Sequence, residues 1–164
     1  MARSQELDLA SEADARAMLS RACGSSRWLE RMMARRPFGR DQRLLMAARA
    51  EWFSLSEPDW LEAFAHHPQI GDRAALAARF PNTHDLSSKE QAAVAAAHAD
   101  VLTALAEGNQ AYVDKFGFTF IVCATGKSAE EILTLLRERL PHDRATELRI
   151  AAEEQAKITA LRLS

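Results

Sequence analysis

Phe116-Gly117-Phe118-Thr119-Phe120-Ile121-Val122-Cys123-Ala124-Thr125-Gly126 is the one stretch of this chain with the composition of a β-strand, rich in aromatic and β-branched residues. Whether it pairs decides the fold. No second run of that kind occurs, and a lone strand would leave its backbone N–H and C=O groups without a ladder. The stretch therefore reads as an extended segment, near 116–126, crossing an all-α, multi-helix bundle.

The flanking sequence supports that reading, because alanine, leucine, arginine and glutamate dominate it at helical spacing. Ser11 can cap a first helix, with Ala15, Met18, Leu19 and Ala22 on one face and Gly24 past its end. A second helix starts near Ser26, with Trp28, Leu29, Met32 and Met33 on one face. Pro37 and Gly39 interrupt the chain, and Asp41 can cap a third helix that turns Leu44, Leu45, Ala48 and Trp52 inward. Ser56-Glu57-Pro58-Asp59 opens a fourth, with proline in the first turn, where it is tolerated. Trp28, Trp52 and Trp60 suit a core and a groove wall. A short segment, Ala74 to Phe80, ends at Pro81, and Asn82-Thr83-His84-Asp85 reads as a polar loop. Ser87 to Gln91 opens a long helix reaching Lys115, with a weak point at Gly108. Downstream, Ser128-x-x-Glu131 is a capping box into a helix from Ile132 to Leu140, stopped by Pro141. A last helix carries Leu148, Ala152, Ile158 and Leu161.

The 164 residues, 48% hydrophobic and 27% charged, suit a single domain over 1–164 with a real core. A net charge of -2 offers no polybasic surface for nucleic acid or anionic lipid. Cys23 and Cys123 form no CxxC pair, and Cys123, inside an apolar run, reads as a buried thiol. The opening Met1-Ala2-Arg3-Ser4-Gln5-Glu6 has no apolar signal core, and no stretch is long and apolar enough to span a bilayer. The ending Leu161-Arg162-Leu163-Ser164 is no peroxisomal address. The cytoplasm is the expected location.

Chemistry concentrates in His66-His67-Pro68-Gln69-Ile70-Gly71-Asp72, which follows an amphipathic run ending at Ala65. Proline pushes the residue before it out of the α region, so His67 should leave the helix axis. An imidazole there, beside a helix C-terminus, is placed for proton transfer near neutral pH. The same features also describe a helix stop with a surface histidine. Ser87-x-x-Glu90 is a capping box whose carboxylate either caps the Ser87 amide or accepts N–H groups from a ligand. Arg162 is either a solvated arginine favoured at a helix end or a fork for a substrate carboxylate. His66, His84 and His98 share no ligand spacing with His67, and no HExxH pair occurs, so no metal site is expected.

Taken together, several stretches closely resemble the 2-oxo-4-hydroxy-4-carboxy-5-ureidoimidazoline (OHCU) decarboxylase family. They are Arg36-Pro37-Phe38, His67-Pro68-Gln69-Ile70-Gly71-Asp72, Ser87-x-x-Glu90-Gln91, Asn109-x-x-Tyr112-x-x-Lys115-Phe116-Gly117-Phe118-x-Phe120-Ile121-Val122-Cys123-Ala124 and Lys157-Ile158-x-x-Leu161-Arg162-Leu163. The resemblance covers nearly the whole chain. Thr119 departs from it, standing where many relatives have proline.

The resemblance implies an all-α homodimer, with no cofactor and no metal, that converts OHCU into (S)-allantoin and carbon dioxide in urate degradation. It places the catalytic groups at His67, Glu90 and Arg162. Substrate binding falls on Pro68, on Ser87, Ser88, Lys89, Glu90 and Gln91, and on Phe120, Ile121, Val122, Cys123 and Ala124. Two other readings compete. A helical interaction module would make the kink and caps purely structural, and a histidine-dependent hydrolase acting on a related ureide would give a ring-opened product.

Overall fold

The computed structural model describes residues 1–68, 73–81 and 88–164, and among these the chain is all-α, with no strand. The helices are α1 (Arg3–Leu9), α2 (Glu12–Ala22), α3 (Ser26–Ala34), α4 (Asp41–Phe53), α5 (Glu57–Ala65), α6 (Arg73–Arg79), α7 (Ser88–Phe116), α8 (Ala129–Arg139) and α9 (Arg144–Leu163). They form two compact units, Met1–His67 with Leu148–Ser164, and Pro68–Glu147.

In the first unit, local sequence sets the helix starts. The Ser11 hydroxyl accepts from Asp14 N at 3.1 Å to open α2, and Ser25 accepts from Trp28 N at 3.2 Å to open α3. Ser56 and Asp59 form a capping box for α5, with proline in its first turn. Ala15, Leu19, Trp28, Met32, Leu44, Ala48 and Trp52 are buried as the spacing predicts. Trp28 Nε1 donates to Ala48 O at 3.0 Å, Trp52 Nε1 to Ala152 O at 2.8 Å and Trp60 Nε1 to Trp52 O at 3.0 Å. Each ring thus buries its apolar body without stranding its polar edge. At roughly 150–250 Å² per aromatic side chain and about 25 cal/mol per Å², Trp28 and Trp52 contribute roughly 4–6 kcal/mol apiece before the entropy of ordering them.

The sequence reading misplaced three features of this unit. A helix, α1, precedes the one capped by Ser11; with seven residues and no side-chain cap it carries little periodic signal, and it is anchored by Leu7, which is fully buried. Asp41 is the first residue of α4 rather than its cap, because its carboxylate accepts Ser4 N of α1 at 2.8 Å, which holds the Asp41 carboxyl below its ordinary range. Asp8 in turn accepts Phe38 N and Gly39 N, both at 2.8 Å, and so fixes the turn around Arg36-Pro37-Phe38. On α9 the buried positions are Glu147, Ala151, Ala152, Gln155, Thr159 and Leu163, while Leu161 is 50% exposed and Leu148 and Ile158 are only half-buried. Polar residues win this face because they find partners there.

In the second unit α7 packs along α8. Gly108 is no weak point: α7 runs through it unbroken, and a Cβ there would lie 2.7 Å from Leu136 Cδ2. The glycine lets α8 approach closely. The Ser128/Glu131 box opens α8 as predicted. The β-like stretch is neither helix nor strand from 117 onward, α7 ending at Phe116. Its aromatic residues pack on Tyr112 instead of filling a sheet face: ring centroids of Phe116, Phe118 and Phe120 lie 4.5, 5.8 and 5.3 Å from that of Tyr112. Gly117 and Gly126, with φ of +83° and +76°, make the turns at either end.

Candidate active site

His67 lies just beyond the C-terminus of α5, whose C-cap is His66. Its backbone N–H donates to Phe64 O at 3.1 Å, so the chain makes one last tight turn before Pro68. The side chain leaves the helix, as the proline requires, and is half-buried. His66 behaves differently: it is exposed, and its ring sits where a Cβ on Gly24 would come within 2.6 Å of Cγ and Cδ2. Gly24 therefore allows the chain to pass His66, a packing role beyond ending α2.

The His67 ring starts a chain of hydrogen bonds within the first unit. His67 Nε2 bonds Gln155 Oε1, and Gln155 Nε2 donates to Thr159 Oγ1 at 3.0 Å. Thr159 Oγ1 donates to Ala22 O at 3.3 Å, and Arg162 Nη1 donates to the same carbonyl at 3.4 Å and to Arg21 O at 3.5 Å. His67 and Arg162, two predicted site residues far apart in sequence, are thereby joined through α9 and the end of α2. Arg162 itself is exposed and shares with Arg3 and Arg21 the lining of an open hollow of about 500 Å³. Cys23 lies beside this chain, and burial pushes its thiol up from 9.0 to about 11, against the opposing pull of Ser25, Thr159 and Arg162.

In the second unit, Phe120, Ile121, Val122 and Cys123 are buried and Ala124 is half-buried. Three carbonyls of this stretch are satisfied within the chain. Arg139 Nη1 donates to Ile121 O at 2.6 Å, Lys127 Nζ to Cys123 O at 3.0 Å and Lys127 N to Ala124 O at 3.0 Å. Arg139 also stacks over the Phe120 ring, 4.4 Å from its centroid. It is held by Glu147 Oε1 at 2.7 Å, a carboxylate with no exposure that also accepts from Tyr112 Oη at 2.7 Å and bonds His142 Nδ1 at 2.9 Å. Burial and the Glu147 contact push the Tyr112 hydroxyl well above its ordinary range, so it stays a donor. Ser88, Lys89, Glu90 and Gln91 lie in the first turn of α7, Glu90 exposed, and Pro68 is exposed as well. Ser87, Gln69 to Asp72 and His84 lie outside the described residues. No group of three or more His, Cys, Asp or Glu side chains among the described residues could hold a metal ion.

Sequence reasoning missed Gln155, Thr159, Arg139 and Glu147. The available signal was spacing: positions 147, 151, 155, 159 and 163 recur every four residues, a helix stripe in which three polar residues replace the apolar ones a core normally takes.

Fold and side chains together define an all-α protein in which a half-buried histidine and an exposed arginine are joined by a polar chain through the buried Gln155 and Thr159. The chain belongs to the OHCU decarboxylase family: the family model described as OHCU decarboxylase matches residues 8–164. The uric acid degradation bifunctional protein TTL of Arabidopsis thaliana is 41% identical over 143 residues, a match covering 87% of this chain and 44% of that protein. This chain thus spans less than half the length of that relative. The 2-oxo-4-hydroxy-4-carboxy-5-ureidoimidazoline decarboxylase of Haloferax volcanii is 28% identical over 145 residues, 85% of this chain and 80% of that one. A crystal structure of OHCU decarboxylase in the presence of (S)-allantoin superposes with a TM-score of 0.73 at 36% identity, covering 94% of this chain and 96% of that chain.

Proposed function

We propose that this chain is a carboxy-lyase that converts OHCU into (S)-allantoin and carbon dioxide in urate degradation, without a cofactor. The observation that carries the reading is the joining of His67 to Arg162 by one hydrogen-bonded chain. A proton-exchanging imidazole and a carboxylate fork are the two groups this reaction needs in fixed relation.

The substrate holds its carboxylate next to a ring C=N bond. When the bond to the carboxylate breaks, its electron pair moves into that C=N bond, so the substrate is its own electron sink. The protein has to orient the ring, stabilise charge and deliver a proton to one face, which yields one enantiomer. His67 assists through the ring hydroxyl or returns the proton. Glu90 holds ring or ureido N–H groups, and Arg162 takes the carboxylate through its planar fork. Pro68, Ser87 to Gln91 and the backbone of Phe120 to Ala124 line the substrate.

The unbroken family match over 8–164 supports reading 1–164 as one OHCU decarboxylase-like domain. We assign it to a homodimer in the cytoplasm; no described helix is long and apolar enough to cross a membrane. The test is to supply freshly generated OHCU and follow optically active allantoin by circular dichroism together with carbon dioxide release. Stoichiometric allantoin and carbon dioxide support the reading. A ring-opened product or ammonia points to a hydrolase, and no turnover by the folded protein points to an interaction module.

A further inference from the structure

We infer that Gln155 is a positioning residue that fixes the tautomer of His67, so that Nδ1 is the nitrogen exchanging a proton with substrate; the catalytic part of this rests on the decarboxylase reading above. The inference follows by counting protons along the chain from its far end. The Ala22 carbonyl can only accept, and it lies 3.3 Å from Thr159 Oγ1. Thr159 has one hydroxyl proton, and donating it there leaves its oxygen an acceptor toward Gln155. Gln155 must then turn its NH2 group to Thr159, at 3.0 Å, and its carbonyl oxygen to His67 Nε2. A carbonyl oxygen faces a ring nitrogen favourably only if that nitrogen carries a proton. The neutral imidazole is therefore the Nε2–H form, with its lone pair on Nδ1.

Burial gives the arrangement its force. Gln155 is 1% exposed and Thr159 5% exposed, so a flipped amide would set the Gln155 carbonyl oxygen against the Thr159 oxygen, whose proton goes to Ala22, where little water can relieve the conflict. Arg162 lies at the anchored end, donating to the same Ala22 carbonyl at 3.4 Å. The residue that would hold the substrate carboxylate and the residue that would move the proton are thus set by one scaffold. Gln155 is neutral, so it orients the ring without stabilising the imidazolium as strongly as a carboxylate would.

The experiment is nitrogen-15 NMR of the folded wild-type protein at a pH where His67 is neutral. The expected result is a pyrrole-type Nε2 and a pyridine-type Nδ1 for His67; the reverse assignment overturns the inference. Gln155→Leu should remove the bias toward Nε2–H and lower kcat about tenfold to a hundredfold, the range seen when the partner orienting a metal-bound histidine is lost, with KM within about threefold. Gln155→Glu keeps an acceptor toward Nε2–H and should restore the wild-type nitrogen pattern. Thr159→Val releases the amide from its anchor and should weaken the bias even though Gln155 is intact. If Gln155→Leu and Thr159→Val both leave the nitrogen pattern unchanged, the inference is wrong. The NMR result stands whether or not the protein forms allantoin, so failure of the tautomer and failure of the decarboxylase reading are separate observations.

Discussion

Gln155 and Glu147 both sit on α9, 1% and 0% exposed, yet the partners gathered around them differ in kind. Glu147 holds an arginine, a tyrosine and a histidine, and its arginine reaches on to the Ile121 carbonyl. Gln155 belongs to a neutral relay in which each group passes one hydrogen bond to the next and the last acceptor is a backbone carbonyl. A buried ion pair is costly to break, because removing one partner strands the other. A neutral hydrogen bond is worth only about 0.5–1.5 kcal/mol net, so it can be altered without losing the fold. The first arrangement suits holding a segment in place, and the second suits setting the state of a ring that, under the proposed function, changes protonation.

That contrast is tested most severely at His67. His67→Asn keeps a polar side chain able to meet Gln155 but removes the imidazole to which the proposed function assigns proton exchange. Allantoin formation should fall about a hundredfold to ten-thousandfold, the usual worth of general acid–base assistance, with the melting curve nearly unchanged. His66→Asn, at an exposed neighbour, should cost far less. If His67→Asn unfolds the protein, the neutral relay is structural and the contrast collapses.

The converse variant is Glu147→Gln. It leaves Arg139 charged and 6% exposed, so urea denaturation should show a loss of about 3–5 kcal/mol. A loss below about 1 kcal/mol would mean that the cluster does not hold the unit together, and that the segment after α7 is fixed by the packing of Phe118 and Phe120 on Tyr112.

How much of this was legible in the sequence depends on whether the signal is local. Ser11, Ser56 and Ser128 announce their helices because a cap needs only residues within one turn, and His67-Pro68 announces a departure from the helix for the same reason. Gln155 and Glu147 announce themselves only as polar members of a four-residue stripe; what they hold was not readable, because their partners His67 and Tyr112 lie 88 and 35 residues away. On α9 hydrophobicity singles out Leu148, Ile158 and Leu161, whereas the burial also takes in satisfied polar groups at Glu147, Gln155 and Thr159. Asp41 looked like a cap because nothing local says that Ser4 will claim its carboxylate. The extended 116–126 stretch was readable from its composition, His67 and Arg162 were singled out through family motifs, and the hydrogen-bonded chain linking the two was not readable.

Cys23 sharpens the contrast from the alkaline side. Its thiol, raised from 9.0 to about 11 chiefly by burial, keeps its proton in the folded state after the unfolded chain has lost it. In that window the folded state binds more protons, so stability falls as pH rises from about 9 to about 11, by on the order of 2–3 kcal/mol in all. Urea midpoints across this range, compared between wild type and Cys23→Ala, isolate the effect, since Tyr112 contributes equally to both. Parallel curves would mean that the surroundings of Cys23 accept a thiolate, and that the relay is better solvated than its burial indicates.

The smallest expected effect separates the two capping boxes. At the start of α8, Ser128 Oγ accepts from Glu131 N at 3.2 Å and Glu131 Oε1 accepts from Ser128 N at 3.3 Å, so this box is complete without a ligand. Glu131→Gln keeps an acceptor oxygen and loses only charge at an exposed helix start, a change of about 1 kcal/mol or less. Turnover should be unaffected. Glu90 occupies the matching position in the first turn of α7 and is assigned substrate N–H groups under the proposed function. Hydrogen bonds to a charged acceptor are worth about 1.5–3 kcal/mol against 0.5–1.5 for a neutral one, so Glu90→Gln should lower kcat/KM about tenfold. The two variants should melt within a few degrees of each other while differing tenfold in allantoin formation. Equal activities would return Glu90 to the role of a helix cap and leave the substrate's N–H groups to other residues of the site.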